Sequence, residues 1–201
     1  MKIGIDFDNT IVTYDKVFHH HAVRLGLIPA DMVMSKREIR DAIRQLPDGE
    51  SRWIELQGLV YGLHIDEAEF SPGIERFLSA CKNRSVRIFI ISHKTPYPAL
   101  GPRYDLREAA RKWIEGKGMT SRFGFSMDDC FFADTMAEKL TRIAACCCDY
   151  FIDDLLEVFS HPEFPGGVRK VLYSSGPDRD DPESIDKFNN WDDIHEFVFG
   201  E

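Results

Sequence analysis

A chain of 201 residues with 43% hydrophobic residues can bury a sizeable core, and fits one domain with an insertion better than two equal domains. Its 34 Asp and Glu against 25 Lys and Arg give a formal charge of -9, which argues against a broad surface for nucleic-acid polymers or anionic membranes. No segment has the unbroken apolar length of a membrane span, and Met1-Lys2 leads straight into a strand, so a cytoplasmic location is expected.

The first predicted strand, Ile3-Gly4-Ile5, runs directly into Asp6-Phe7-Asp8-Asn9-Thr10. Two carboxylates two positions apart on an extended chain share a face. Their repulsion calls for a cation or a shared proton, and such a pair is what metal-assisted attack by a carboxylate requires. An acidic turn after an edge strand is the plainer reading of the same residues. Over 14–70 no strand is predicted, only helical pieces at 17–25, 35–46 and 51–61, parted by Gly26-Leu27-Ile28-Pro29 and Pro47-Asp48-Gly49. Ser35 with Glu38 reads as a capping box opening the middle piece. This stretch is expected to be an inserted helical cap module, overhanging the strand ends as a lid or, alternatively, covering one sheet edge.

After Ser71-Pro72-Gly73 a helix is predicted over 74–81, followed by strands at 86–91, 130–133, 150–152 and 168–173. Helical periodicity lies between and after them at 106–116, 136–145 and 185–198. Alternating strands and helices predict an α/β fold: a parallel sheet covered by helices on both faces, built from 1–13 and 71–201. Ligands of such sheets collect beyond the carboxyl ends of the strands.

Those ends carry the chemistry. The 86–91 strand stops at Ser92, whose hydroxyl and backbone amide can hold a phosphate oxygen. The strand at 150–152 runs into Asp153-Asp154; one of these carboxylates with Asp6 and the backbone carbonyl of Asp8 would give Mg²⁺ hard oxygen ligands. Either aspartate could instead cap a helix beginning near Leu155. A site of several carboxylates and a phosphate needs a fixed positive charge, for which Lys139 lies on the correct rim of the sheet, with Lys94 in reserve.

Asp6-Phe7-Asp8-Asn9-Thr10, Ser92, Lys139 and Asp153-Asp154, in that order, resemble the four motifs of the haloacid dehalogenase superfamily, in its phosphatase branch. The likeness runs from Met1 to about Tyr173, with a small helical cap between the first and second motifs. It implies a HAD-like Rossmannoid sheet and a Mg²⁺-dependent phosphomonoester hydrolase. Asp6 would be the nucleophile that becomes an aspartyl phosphate and Asp8 the general acid and base. Ser92, Lys139 and Thr10 would hold phosphate, and Asp6, Asp8, Asp153 and Asp154 the metal. The substrate would be a small soluble phosphorylated metabolite, a sugar phosphate or a nucleotide. A non-catalytic binding module and a phosphotransferase of the same superfamily are the alternatives.

Substrate choice is expected to rest with the cap and the loop over 93–105. Arg37, Arg40 and Arg44, at helical spacing, read as a solvated face. Trp53 and Tyr61 read as the cap's own core. His19, His20 and His21 read as surface or packing residues, because consecutive residues on a helix do not converge on one ion. The five cysteines lack metal-site spacing and are expected to be reduced and largely buried. The sequence leaves the oligomeric state open.

Overall fold

Strand β1 (Lys2–Ile5) and the two-residue β2 (Val12–Thr13) precede helices α1 (Asp15–Arg24), α2 (Lys36–Ile43) and α3 (Gly49–Gly58). Next come β3 (Glu69–Phe70), α4 (Ile74–Asn83), β4 (Arg87–His93), α5 (Leu106–Gly116) and α6 (Met119–Phe123). The chain continues through β5 (Cys130–Ala133), α7 (Met136–Cys146), β6 (Tyr150–Asp153), α8 (Leu156–Ser160), β7 (Arg169–Tyr173), β8 (Ile185–Phe188) and α9 (Trp191–Phe199). The computed structural model describes residues 1–174 and 184–200. They fall into two units: Met1–Val12, Phe70–His93 and Gly118–Glu201 in the first, Thr13–Glu69 and Lys94–Lys117 in the second.

The first unit is built on a six-stranded sheet of order β5-β4-β1-β6-β7-β8, whose pairings are all parallel. The central strands carry unbroken apolar runs at 3–5, 88–91 and 150–152 because both faces are covered, as parallel sheets require. On one face Phe89, Ile91, Leu140, Ile143, Phe151 and Phe159 form a buried cluster. Elsewhere in this unit Phe77 of α4 meets Trp191 of α9, with ring centroids 5.0 Å apart. Each such side chain contributes about 1.5–3 kcal/mol when fully buried. Gly4 is required by this packing, since a Cβ there would lie 2.6 Å from Phe151 Cδ2. From β1 the chain goes outward to β4 and β5 on one side and to β6, β7 and β8 on the other. That reversal puts the topological switch point at the carboxyl ends of β1, β4 and β6, where ligands bind in open α/β sheets.

The second unit packs α1, α2, α3 and α5 with a π-helical turn, Leu59–Leu63, and a 3₁₀ turn, Ile65–Glu67. Its core is aromatic, as the sequence suggests: Trp53 stacks on Phe18 at 4.9 Å, and Tyr61 stands edge-on to Phe18 and Tyr14. Ser35 caps α2 by accepting from the Glu38 amide. Arg40 and Arg44 pair with Asp41 and Glu50 on an exposed face. Residues Lys94–Lys117, expected to lie with the sheet, group with the helices. The physical reason is the apolar face of α5, where Trp113 is buried and its Nε1 donates to the Ala68 carbonyl at 3.0 Å.

Three further elements differ from expectation. The run 185–198 is not one helix: Ile185–Phe188 pairs with β7 as an edge strand, and Asn190 begins α9 by accepting from the Asp193 amide. Neither aspartate at 153–154 caps α8, whose N-cap is Leu155; Asp153 Oδ1 instead accepts from the Leu155 amide at 3.0 Å. Helix α6, unforeseen, is short and bracketed by Gly118 and Gly124, both at positive φ. No disulfide joins the five cysteines, of which Cys147 is exposed and the others are buried. Among the described residues no helix is long and apolar enough to cross a membrane.

Candidate active site

Strand β1 delivers Asp6 one residue beyond its last regular position, with the Asp6 amide donating to the Ile152 carbonyl at 2.9 Å. This bond carries the parallel pairing forward and brings Asp6 level with Asp153 at the end of β6. The chain then tightens into a turn: the Phe7 carbonyl accepts from the Ile11 and Val12 amides, and Asn9 adopts φ 61. Asn tolerates that left-handed conformation better than most residues.

Lys139 reaches the same point from α7. Thr135 caps this helix by accepting from the Glu138 amide, and Glu138 in turn accepts from the Asp134 amide at 2.8 Å. With the first turn so fixed, the Lys139 side chain runs inward, and Nζ donates to Asp6 Oδ1 and to Asp153 Oδ2, both at 2.6 Å. Lys139 is 1% exposed and Asp153 0%. Such a triad is held by its own charges, since each member's desolvation must be offset by the others.

Electrostatics show how far that offset goes. Burial pushes the Asp6 pKa above the ordinary aspartate value and the Asp8 charge adds to this, while Lys139 and a hydrogen bond with the Ser92 side chain oppose it. Burial, followed by the Asp6 charge, pushes Asp153 up to about 7 despite Lys139. Burial disfavours the Lys139 ammonium, but Asp6 and Asp153 outweigh it and raise its pKa. One ammonium therefore does not balance the cluster. Carboxylate oxygens of Asp6, Asp153 and Asp154 lie within 4.8 Å of one another. A hard, all-oxygen donor set that is short of positive charge fits Mg²⁺.

The structure thus brings together Asp6, Ser92, Lys139, Asp153 and Asp154, with Asp8 near enough to act on Asp6 through its charge. Thr10 is fully buried, and among the described residues its hydroxyl has no hydrogen-bond partner. Lys94, the reserve cation, belongs to the second unit, where its ammonium lies 5.0 Å from the Tyr61 ring centroid. Sequence reasoning gave no task to Asn9, whose Nδ2 donates to Asp154 Oδ2 at 3.3 Å. Its place inside the acidic motif is the signal that could have found it. A cavity of about 630 Å³ lies in the second unit, lined by Gly62, Tyr104, Glu108, Lys112 and Trp113 among others. No member of the carboxylate cluster lines it.

No protein-family model matches this chain, and no curated protein sequence does. Solved structures do match its fold. The HAD-hydrolase YfnB from Bacillus subtilis, bound to magnesium, aligns with a TM-score of 0.62 at 12% identity over 98% of each chain. A HAD family hydrolase from Deinococcus radiodurans with bound phosphate and sodium gives 0.61 at 11% identity, covering 98% of this chain and 94% of that one. A HAD-superfamily hydrolase from Ehrlichia chaffeensis gives 0.54 at 18% identity, with 98% and 95% covered. What this chain shares with them is the HAD-like Rossmannoid α/β fold.

Proposed function

We propose that this protein is a Mg²⁺-dependent phosphomonoester hydrolase that works through an aspartyl phosphate on Asp6. Its substrate class is a small soluble phosphorylated metabolite, a sugar phosphate or a nucleotide. The observation that carries this reading is the buried Lys139 ammonium bridging Asp6 and Asp153 at 2.6 Å, beside the further carboxylate of Asp154. Magnesium and phosphate reported in solved structures of the same fold support it.

In this mechanism the Asp6 carboxylate attacks phosphorus, and the bond from phosphorus to the leaving oxygen breaks. Asp8 gives that oxygen its proton, then takes one from the water that hydrolyses the acyl phosphate and restores Asp6. A carboxylate at position 8 suits an ester, whose leaving oxygen needs an acid, better than a halide. Ser92, Lys139 and the Thr10 hydroxyl hold the phosphate oxygens; for Thr10 this would satisfy a buried group that otherwise costs about 1–3 kcal/mol. Mg²⁺ bound by Asp6, Asp153, Asp154 and the backbone carbonyl of Asp8 would lower the repulsion between carboxylate and phosphate. The helical unit is read as the cap that selects the substrate.

Phosphate release from an aryl phosphate and a metabolite panel, with and without Mg²⁺ and beside Asp6→Asn, tests the reading. Turnover that needs Mg²⁺ and vanishes in the variant is expected. Full activity of Asp6→Asn, or an inert native chain across the panel, would contradict it.

A further inference from the structure

Helix α1 carries His19, His20 and His21, and consecutive residues on a helix point about 100° apart, which argues against a shared ion. Two of them nevertheless meet at a residue of another element. Within the second unit one ligand atom each from His20, His21 and Glu67 lies within 4.8 Å of the others. Glu67 closes the 3₁₀ turn Ile65–Glu67, and the His20 ring stands edge-on to His21 with centroids 5.0 Å apart. His21 Nε2 is 3.1 Å from Glu67 Oε2. Two ligands of a tetrahedral ion with bonds of about 2.0–2.1 Å sit about 3.3 Å apart, so one edge of a coordination shell is already in place.

The surroundings are those of a metal ligand set. The other carboxylate oxygen, Glu67 Oε1, is 2.9 Å from His64 Nδ1, and the His64 ring stacks on His21 at 3.8 Å. Outer partners of this kind fix the direction of a ligating carboxylate. The clamp of Glu67 on His21 and His64 does not involve His20, which is exposed and can swing toward the same point.

We propose that His20, His21 and Glu67 form a Zn²⁺ site, with His64 orienting Glu67 and the fourth position open to water. Two imidazoles and one carboxylate suit Zn²⁺, whereas the all-oxygen cluster around Asp6 suits Mg²⁺. The ion would staple α1 to the turn at 65–67 inside the second unit.

The test uses the full, untagged chain, stripped of metal and held in excess Mg²⁺, with Zn²⁺ titrated against a chromogenic chelator. One equivalent of Zn²⁺ is expected. His20→Ala and Glu67→Gln each should weaken binding at least tenfold, His64→Ala by roughly 10–100-fold, and Asp153→Asn not at all. Co²⁺ in the same site should give the visible absorption of a four-coordinate ion, absent from His20→Ala. Because His20 is exposed, that variant is expected to keep the native far-UV circular dichroism. Native affinity in both His20→Ala and Glu67→Gln, or loss of Zn²⁺ in Asp153→Asn, would overturn the proposal.

Discussion

Replacing Lys139 by Met keeps the side-chain length and removes the one ammonium that bridges Asp6 and Asp153. In the native chain Asp153 is already pushed up to about 7, chiefly by burial, and can take up a proton near neutrality at little further cost. Asp6 then has no ammonium in the variant, and in so dry a place must protonate as well. Starting from an ordinary value of 3.8, that step costs at most about 4.4 kcal/mol at pH 7 and about 1.6 kcal/mol at pH 5, at about 1.36 kcal/mol per unit. Relief from burying the lysine lowers both figures, so the expected loss is about 3–4 kcal/mol at pH 7, within the range for broken buried pairs. The sign follows from linkage. A carboxyl whose folded pKa lies above its unfolded value keeps its stability at low pH and loses it as pH rises, so the gap between the two proteins should narrow toward pH 5. Urea unfolding of both, in EDTA at pH 5 and pH 7, measures it. A gap below about 1 kcal/mol at pH 7, or one that is the same at both pH values, would refute the reasoning.

Gly4→Ala would set a Cβ 2.6 Å from the Phe151 ring and should cost about 1–3 kcal/mol in urea unfolding; an unchanged midpoint would contradict the close packing of β1 on β6. Asn9→Gly keeps the left-handed turn but drops the bond to Asp154, so half-maximal activity should require roughly tenfold more Mg²⁺, and an unchanged requirement would remove Asn9 from the site. At pH 8 one thiol per chain should react fast with a chromogenic disulfide. Cys147 is exposed, whereas burial pushes Cys81 and Cys148 up to about 12 and leaves on the order of one part in ten thousand as thiolate. Cys147→Ser should abolish that fast phase, and a second fast thiol would contradict the burial of the others.

Much of the fold is legible in the sequence because buried parallel strands are short apolar runs that end in polar residues, as Ile88 to Ile91 before Ser92 shows. The residues gathered around Lys139 are legible for the same reason: each stands at a strand end or on the rim helix before one. What escapes is what tertiary contact decides. Ile185–Phe188 alternates apolar and charged residues, which suits an edge strand as well as a helix turn, and only its pairing with β7 chooses between them. The grouping of α5 with the helices rests on Trp113 finding Ala68, far away in sequence. Glu67 meets His21 across a similar gap, with no spacing to announce it.

The central claim is that Asp6 is the nucleophile, and trapping the phosphoryl enzyme tests it most directly. Asp8→Ala removes the group assigned to activate water, while an aryl phosphate has a leaving oxygen that needs little acid, so the acyl phosphate should accumulate. Quenching during turnover and reducing with borohydride should convert residue 6 to homoserine, read by peptide mass spectrometry. Phosphate release with an unmodified Asp6 peptide, or homoserine at another aspartate, would contradict the account.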